Sequence, residues 1–224
     1  MHKPDHEKEY VKDEIRKEFQ LERMILFSDA VFAIVITLMA IEIRLPEMED
    51  GVTMEELRKN IIHLLPNVIA YTASFIFIGF TWYQHLRIFS LLKDYDKGLV
   101  FRNMILLFFI GFFPFSASLV ARPKNATFLI IIIYFSIIVL CRSAQLVLQH
   151  YILVKRPQLR LRTDIHEEML RFKKSRFVLF MLFIMFLLVM LTSYFIPDQE
   201  WKNMAWWWFF IFPVILRFYN KKNT

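Results

Sequence analysis

The chain has 224 residues, 57% of them hydrophobic and 17% aromatic, with 25 Phe, 11 Met and only 4 Gly. Soluble domains are less apolar and richer in glycine turns, so this composition excludes an ordinary soluble globular domain and points to long apolar helices in a membrane. The formal charge of +7 sits almost entirely beside apolar stretches, which assigns it to anionic lipid headgroups rather than nucleic acid. The sole cysteine, Cys141, excludes a disulfide framework and a thiolate-built metal site.

Residues 1–22 are charged throughout and read as a cytoplasmic N-terminal segment. No short apolar stretch with a cleavage site follows, so no secretory signal peptide is expected. Six apolar stretches then run near 26–43, 61–84, 100–121, 127–149, 177–196 and 203–218, each close to the ~20 residues that cross ~30 Å of hydrocarbon. The last is the shortest. It opens on Trp206, Trp207 and Trp208, which suit an interfacial belt, and closes on Arg217, which can snorkel. Pro66, Pro114 and Pro213 lie inside apolar stretches, and each predicts a kink. The connection 155–176, KRPQLRLRTDIHEEMLRFKKSR, predicts a short cytoplasmic amphipathic helix, although basic loops of this kind also serve simply to set orientation.

Basic residues concentrate in the N-terminal segment, after the second stretch (Arg87, Lys93, Lys97, Arg102), in 155–176 and in the tail, while the alternate connections hold few. The rule that basic loops stay inside places both termini in the cytoplasm. Arg142 lies near the inner end of the fourth stretch. The resulting reading is an all-α polytopic membrane protein: a segment 1–22, a six-helix transmembrane domain 23–218 and a cytoplasmic tail 219–224.

The first stretch, LFSDAVFAIVITLMAIEI, holds one acidic side chain, Asp29. An ionisable group in a membrane helix is costly, and by default it is read as functional. At ~100° per residue, Ile34, Leu38 and Ile41 share one narrow stripe, with Thr37 on its edge and Ala30 continuing it towards the cytoplasm. Ser28 and Asp29 point away from that stripe. In a symmetric assembly the apolar stripe can line a central path while the polar pair faces inward within the subunit. On spacing alone, Ile, Leu and Ile at this interval are also the commonest packing pattern in helical proteins.

The segment RMILFSDAVFAIVITLMAIEI opens with Arg-x-x-x-Phe-Ser-Asp, here Arg23, Phe27, Ser28 and Asp29. Trp82 and His85 end the second stretch in TWYQH, Asn103 begins the third, and Pro114-Phe115 lies towards its outer half. From about residue 20 to 121 this pattern resembles the transmembrane protein 175 family of potassium channels; beyond it, the likeness is one of hydropathy and helix count. The resemblance implies a single-repeat, prokaryotic-type subunit that assembles as a homotetramer and conducts K+ without a cofactor. It further implies a pore lined by the first helices, lacking a carbonyl-lined filter, in which bulky apolar layers form the constriction. Carried over, the pore-lining residues are Ile34, Thr37, Leu38 and Ile41. An intrasubunit polar cluster is implied for Arg23, Ser28, Asp29, Trp82, His85 and Asn103. Arg23 projects towards the stripe if the helix extends that far, which would place it at the inner mouth instead of in the cluster. His85 is otherwise an ordinary interfacial histidine.

Two other classes compete. A secondary transporter would want inverted repeats and helices broken near mid-membrane, whereas Gly79 and Gly111 are the only intramembrane glycines. A non-conducting membrane scaffold has no excluding sequence feature. An intramembrane enzyme would want a nucleophile or metal constellation; no paired carboxylates or Ser/His/Asp set appears, and the histidines are scattered over both faces. The expected location is the cell membrane, specifically a bacterial inner membrane.

Overall fold

A computed structural model describes residues 5–41, 43, 53–120, 127–161 and 165–195. All regular structure among them is helical, in two units, Met1–Ile165 and His166–Thr224. Among the described residues three segments are long and apolar enough to cross a membrane: Ile15–Ile41, Lys97–Ser116 and Ile132–Lys155. The sixth apolar stretch, 203–218, with Pro213, lies outside the described residues.

Helix α1 is a single helix, Asp5–Ile41, of 37 residues. At ~1.5 Å per residue it is longer than the hydrocarbon is thick. Its charged first part, rich in the good helix formers Glu, Lys and Arg, therefore continues the membrane helix without a break. Lys17 on this extension lies 3.7 Å from Asp94 in the turn after the second helix. Helix α2, Met54–Phe89, starts with a capping box in which Thr53 and Glu56 bond reciprocally. Those bonds, from the Thr53 backbone first and its hydroxyl second, hold the Glu56 carboxyl below the usual carboxylate range. The helix runs through Pro66 without interruption.

The third apolar stretch is two helices, α3 (Lys97–Ile110) and α4 (Phe113–Val120). The kink expected at Pro114 thus takes the form of a break at Gly111 and Phe112. A proline ring clashes with the carbonyl four residues back, here Ile110, so α3 ends there and Pro114 enters the first turn of α4, where its missing N–H does no harm. Gly111 N–H still donates to Leu107 O at 2.9 Å, and Ser116 N–H to Phe112 O at 3.0 Å, so the break leaves little backbone unpaired.

Helix α5 spans Thr127–His150, widens into a π turn, Tyr151–Lys155, and is followed by a tighter 3-10 turn, Pro157–Leu159. The connection expected as a separate amphipathic helix is instead these two turns and the opening of α6 (His166–Phe195), whose first turn carries Glu167 and Glu168. Acidic side chains there complement the helix dipole. Within the first unit, α3 and α4 pack between α5 on one side and α1 and α2 on the other.

Between the α2–α3 turn and the turns after α5, Lys93 N–H donates to Leu159 O at 2.9 Å and Leu161 N–H to Leu91 O at 2.8 Å. Beside them Asp96 caps α3 through Leu99 N–H, at 2.6 Å, and accepts the Tyr151 hydroxyl at 2.7 Å. The Arg102 guanidinium lies 3.9 Å over the Tyr151 ring. Gly98 makes this approach possible: a Cβ there would collide with the Tyr151 hydroxyl and stand 2.8 Å from its Cζ. Gly98→Ala is therefore expected to destabilise the subunit by the ~1–3 kcal/mol typical of overpacking. Thermal unfolding of the purified protein checks it; an unchanged midpoint would show that Tyr151 moves aside freely.

Candidate functional site

The two faces of α1 have opposite environments. Ser28, Phe32, Val35 and Met39, at intervals of four, three and four, are buried. That spacing keeps one face turned to the subunit core. On the other face Ile34, Leu38 and Ile41 remain 55%, 45% and 59% exposed. Thr37 is exposed beside them, its hydroxyl bonding back to Ile34 O at 2.9 Å and Ala33 O at 3.1 Å. The hydroxyl proton therefore goes to the helix backbone, which leaves the oxygen lone pairs to anything passing outside.

On the buried face, three helices converge on Asn103. From α3 its Nδ2 donates to Ser28 Oγ on α1 at 2.8 Å, and its Oδ1 lies 2.9 Å from His85 Nε2 on α2. Ser28 Oγ passes its own proton to Met24 O at 2.8 Å. With the amide nitrogen donating, the amide oxygen can only accept, so His85 carries its proton on Nε2. Ser28, His85 and Asn103 are all essentially inaccessible to solvent. The imidazole stacks on Phe89 with centroids 4.0 Å apart and tilts against Phe32 at 5.6 Å. Burial of polar groups without partners is costly, so this chain of bonds specifies one mutual arrangement of α1, α2 and α3.

One residue along α1, Asp29 Oδ1 accepts the Trp82 indole N–H at 2.8 Å. Asp29 is half-buried and Trp82 keeps part of its ring exposed. The structure thus brings together Ser28, Asp29, Trp82, His85 and Asn103, as two linked contacts side by side on α1. Arg23 lies apart. It is exposed, with its guanidinium 5.9 Å over the Phe19 ring, and among the described residues no bond joins it to this group. Sequence reasoning missed the aromatic walls, Phe32 and Phe89, because aromatic residues at helical spacing do not reveal which neighbour they meet.

The fold and the two-faced first helix define the class: a multi-pass α-helical membrane protein whose first helix carries an internal polar seat behind an outward apolar stripe. Residues 23–114 match the family model described as endosomal/lysosomal potassium channel TMEM175. Through that segment the chain is similar to the TMEM175 family, in agreement with the resemblance read from the first-helix motif. A potassium channel of Chamaesiphon minutus is 38% identical over 100 residues, covering 45% of this chain and 49% of the relative. A potassium channel of a Chryseobacterium species is 30% identical over 104 residues, covering 46% and 50%. A zebrafish relative (Danio rerio), named endosomal/lysosomal proton channel TMEM175, is 30% identical over 104 residues, 46% of this chain and 19% of the relative. The chain thus spans about half the length of the bacterial relatives it matches.

The fold extends the likeness further. The crystal structure of a lysosomal potassium-selective channel TMEM175 homolog from Chamaesiphon minutus superposes with a TM-score of 0.67 at 23% identity, over 92% of this chain and 98% of that one. A threonine-to-alanine variant of the potassium channel MtTMEM175, bound to a nanobody fusion, gives 0.61 at 19% identity, over 90% and 92%. At these identities the likeness is one of fold.

Proposed function

We propose that the chain is the subunit of a potassium-selective channel, a homotetramer in which α1 of each copy lines a central pore. The observation that carries this is the division of α1: Ile34, Leu38 and Ile41 stay exposed on the isolated subunit while the opposite face is fixed by the Asn103 bonds. Large apolar side chains held outward by a rigid polar seat need a cover, and four such stripes around an axis cover one another. The constriction is then made of apolar layers at Ile34, Leu38 and Ile41, with Thr37 offering an oxygen to a dehydrating ion.

The subunit has six transmembrane helices in residues 23–218, with 1–22 and 219–224 cytoplasmic, and it sits in a bacterial inner membrane with its basic inner residues against anionic headgroups. K+ passes without a cofactor or a second substrate. The names of the relatives divide between potassium and proton channels, so the test reads both ions. Purified protein in liposomes with a potassium gradient is expected to pass K+ passively, without obligatory proton movement. A flux that needs a second substrate would favour a transporter, and proton current without potassium current would reassign the permeant ion.

Thr37→Val keeps the shape and removes the oxygen. It is expected to reduce discrimination between potassium and sodium with the assembly intact, since apolar groups restrict an ion but cannot replace its hydration. Unchanged permeability ratios would leave selectivity to the apolar layers.

A further inference from the structure

Trp82 and His85 turn one side of α2 towards α1 and α3. Gln84, between them, turns to α5, where its side-chain oxygen accepts a hydrogen bond from Arg142 Nη1 at 3.0 Å. Arg142 is only 5% exposed. Buried charges are normally paired, yet among the described residues this guanidinium's hydrogen bond goes to a neutral amide of α2. One turn further along α5, Gln145 is 1% exposed and, among the described residues, neither of its amide atoms has a hydrogen-bond partner. Burial of a polar side chain on this face of α5 therefore does not by itself tie α5 to α2; Arg142 does. Among the described residues a second polar tie between these helices, Ser74 with Tyr134 at 2.6 Å, lies ten residues away on α2, or ~15 Å along the helix.

Adjacent residues on a helix diverge by ~100°. A bond to Gln84 and a bond to His85 thus hold α2 from two sides, and a rotation of α2 that opens one moves the other. We propose that Arg142 is a positioning residue for the pore helix: through Gln84 it sets the rotation of α2, and so seats Trp82 on Asp29 and His85 on Asn103. The inference rests on the reading of α1 as pore-lining. It places part of the control of α1 in α5, outside the segment 23–114 that matches the family model.

The test is a double-mutant cycle in the full chain. Arg142→Gln and Trp82→Phe are made singly and together; Arg142→Lys restores a charged donor, and Gln145→Leu controls for burial alone. Two quantities are read: the thermal midpoint of the purified assembly and the K+/Na+ permeability ratio in liposomes. Each single variant, Arg142→Gln or Trp82→Phe, is expected to lower the midpoint, and the double variant to fall short of their sum by about 2–4 °C, as for residues in one network. Arg142→Lys should recover most of the loss. Gln145→Leu should leave the midpoint unchanged or raised and add simply to Trp82→Phe. The permeability ratio should shift by about threefold or more in Arg142→Gln and stay constant in Gln145→Leu. Additive midpoints for Arg142→Gln and Trp82→Phe, or a lowered midpoint with an unchanged permeability ratio, would overturn the proposal. If the unmodified protein passes no potassium, the channel reading fails by itself, and the midpoint cycle still decides whether Arg142 acts on the Trp82 seat.

Discussion

Asn103→Leu is expected to be the most destabilising single substitution in the subunit. Its amide oxygen meets His85 Nε2 and its amide nitrogen donates to Ser28 Oγ, and all three residues are buried. Leucine supplies neither function, so two buried polar groups lose their partners at ~1–3 kcal/mol each. Against a total stability of ~5–15 kcal/mol, that removes a large share. Asp29→Ala should cost less, because the indole N–H it deserts belongs to a side chain that keeps 38% of its surface exposed. Asp29→Asn retains an acceptor for Trp82 and should stand nearest to the unmodified protein. Thermal unfolding and size-exclusion profiles of the three variants check this order. Among the channels that assemble, Asp29→Asn should keep its potassium selectivity. Asn103→Leu and Asp29→Ala, which break the seat behind α1, should shift the K+/Na+ permeability ratio in the same direction as Arg142→Gln. Normal stability with altered selectivity in Asp29→Asn would make Asp29 an ion-lining group, and an Asn103→Leu protein as stable as its parent would remove the polar seat from the account.

Truncating Leu38 or Ile41 to Ala should act on conduction and not on folding. Both are about half-exposed on the subunit, so little packing is lost on shortening them. If they form the narrowest layers, removing either widens the path and raises leak to larger cations by ~10-fold, a barrier change of ~1.4 kcal/mol. Met39, the next residue after Leu38, is fully buried. Met39→Ala should therefore lower yield and thermal stability, by the ~2–5 kcal/mol of a core truncation, without widening the path. Flux of large and small cations measured on all three variants separates the faces. Equal leak from Met39→Ala and Leu38→Ala would mean that loosened packing, not a pore layer, controls passage.

The membrane-helical class was legible in the sequence because apolar length is a local property. The two faces of α1 were legible for a similar reason: a fixed turn per residue puts Ile34, Leu38 and Ile41 together and Ser28 and Asp29 elsewhere, whatever the rest of the chain does. The motif carried by Arg23, Phe27, Ser28 and Asp29 added the family, and with it the companions Trp82, His85 and Asn103.

Distance in sequence limited the rest. Ser28 and Asn103 are 75 residues apart and Gln84 and Arg142 are 58 apart; no periodicity within either segment encodes such a meeting. Pro114 announced a distortion but not its form; in the structure α3 stops at Ile110 and α4 starts at Phe113. The charge of Arg142 was visible as one more basic residue near the inner face, and only packing turned it onto α2. Arg23 shows the converse case, since a motif member counted with the cluster stands over Phe19 on its own helix. Local rules determine which side chains share a face. Which faces meet is decided by the helices packing together, where Asn103 and Arg142 take the partners that burial leaves within their reach.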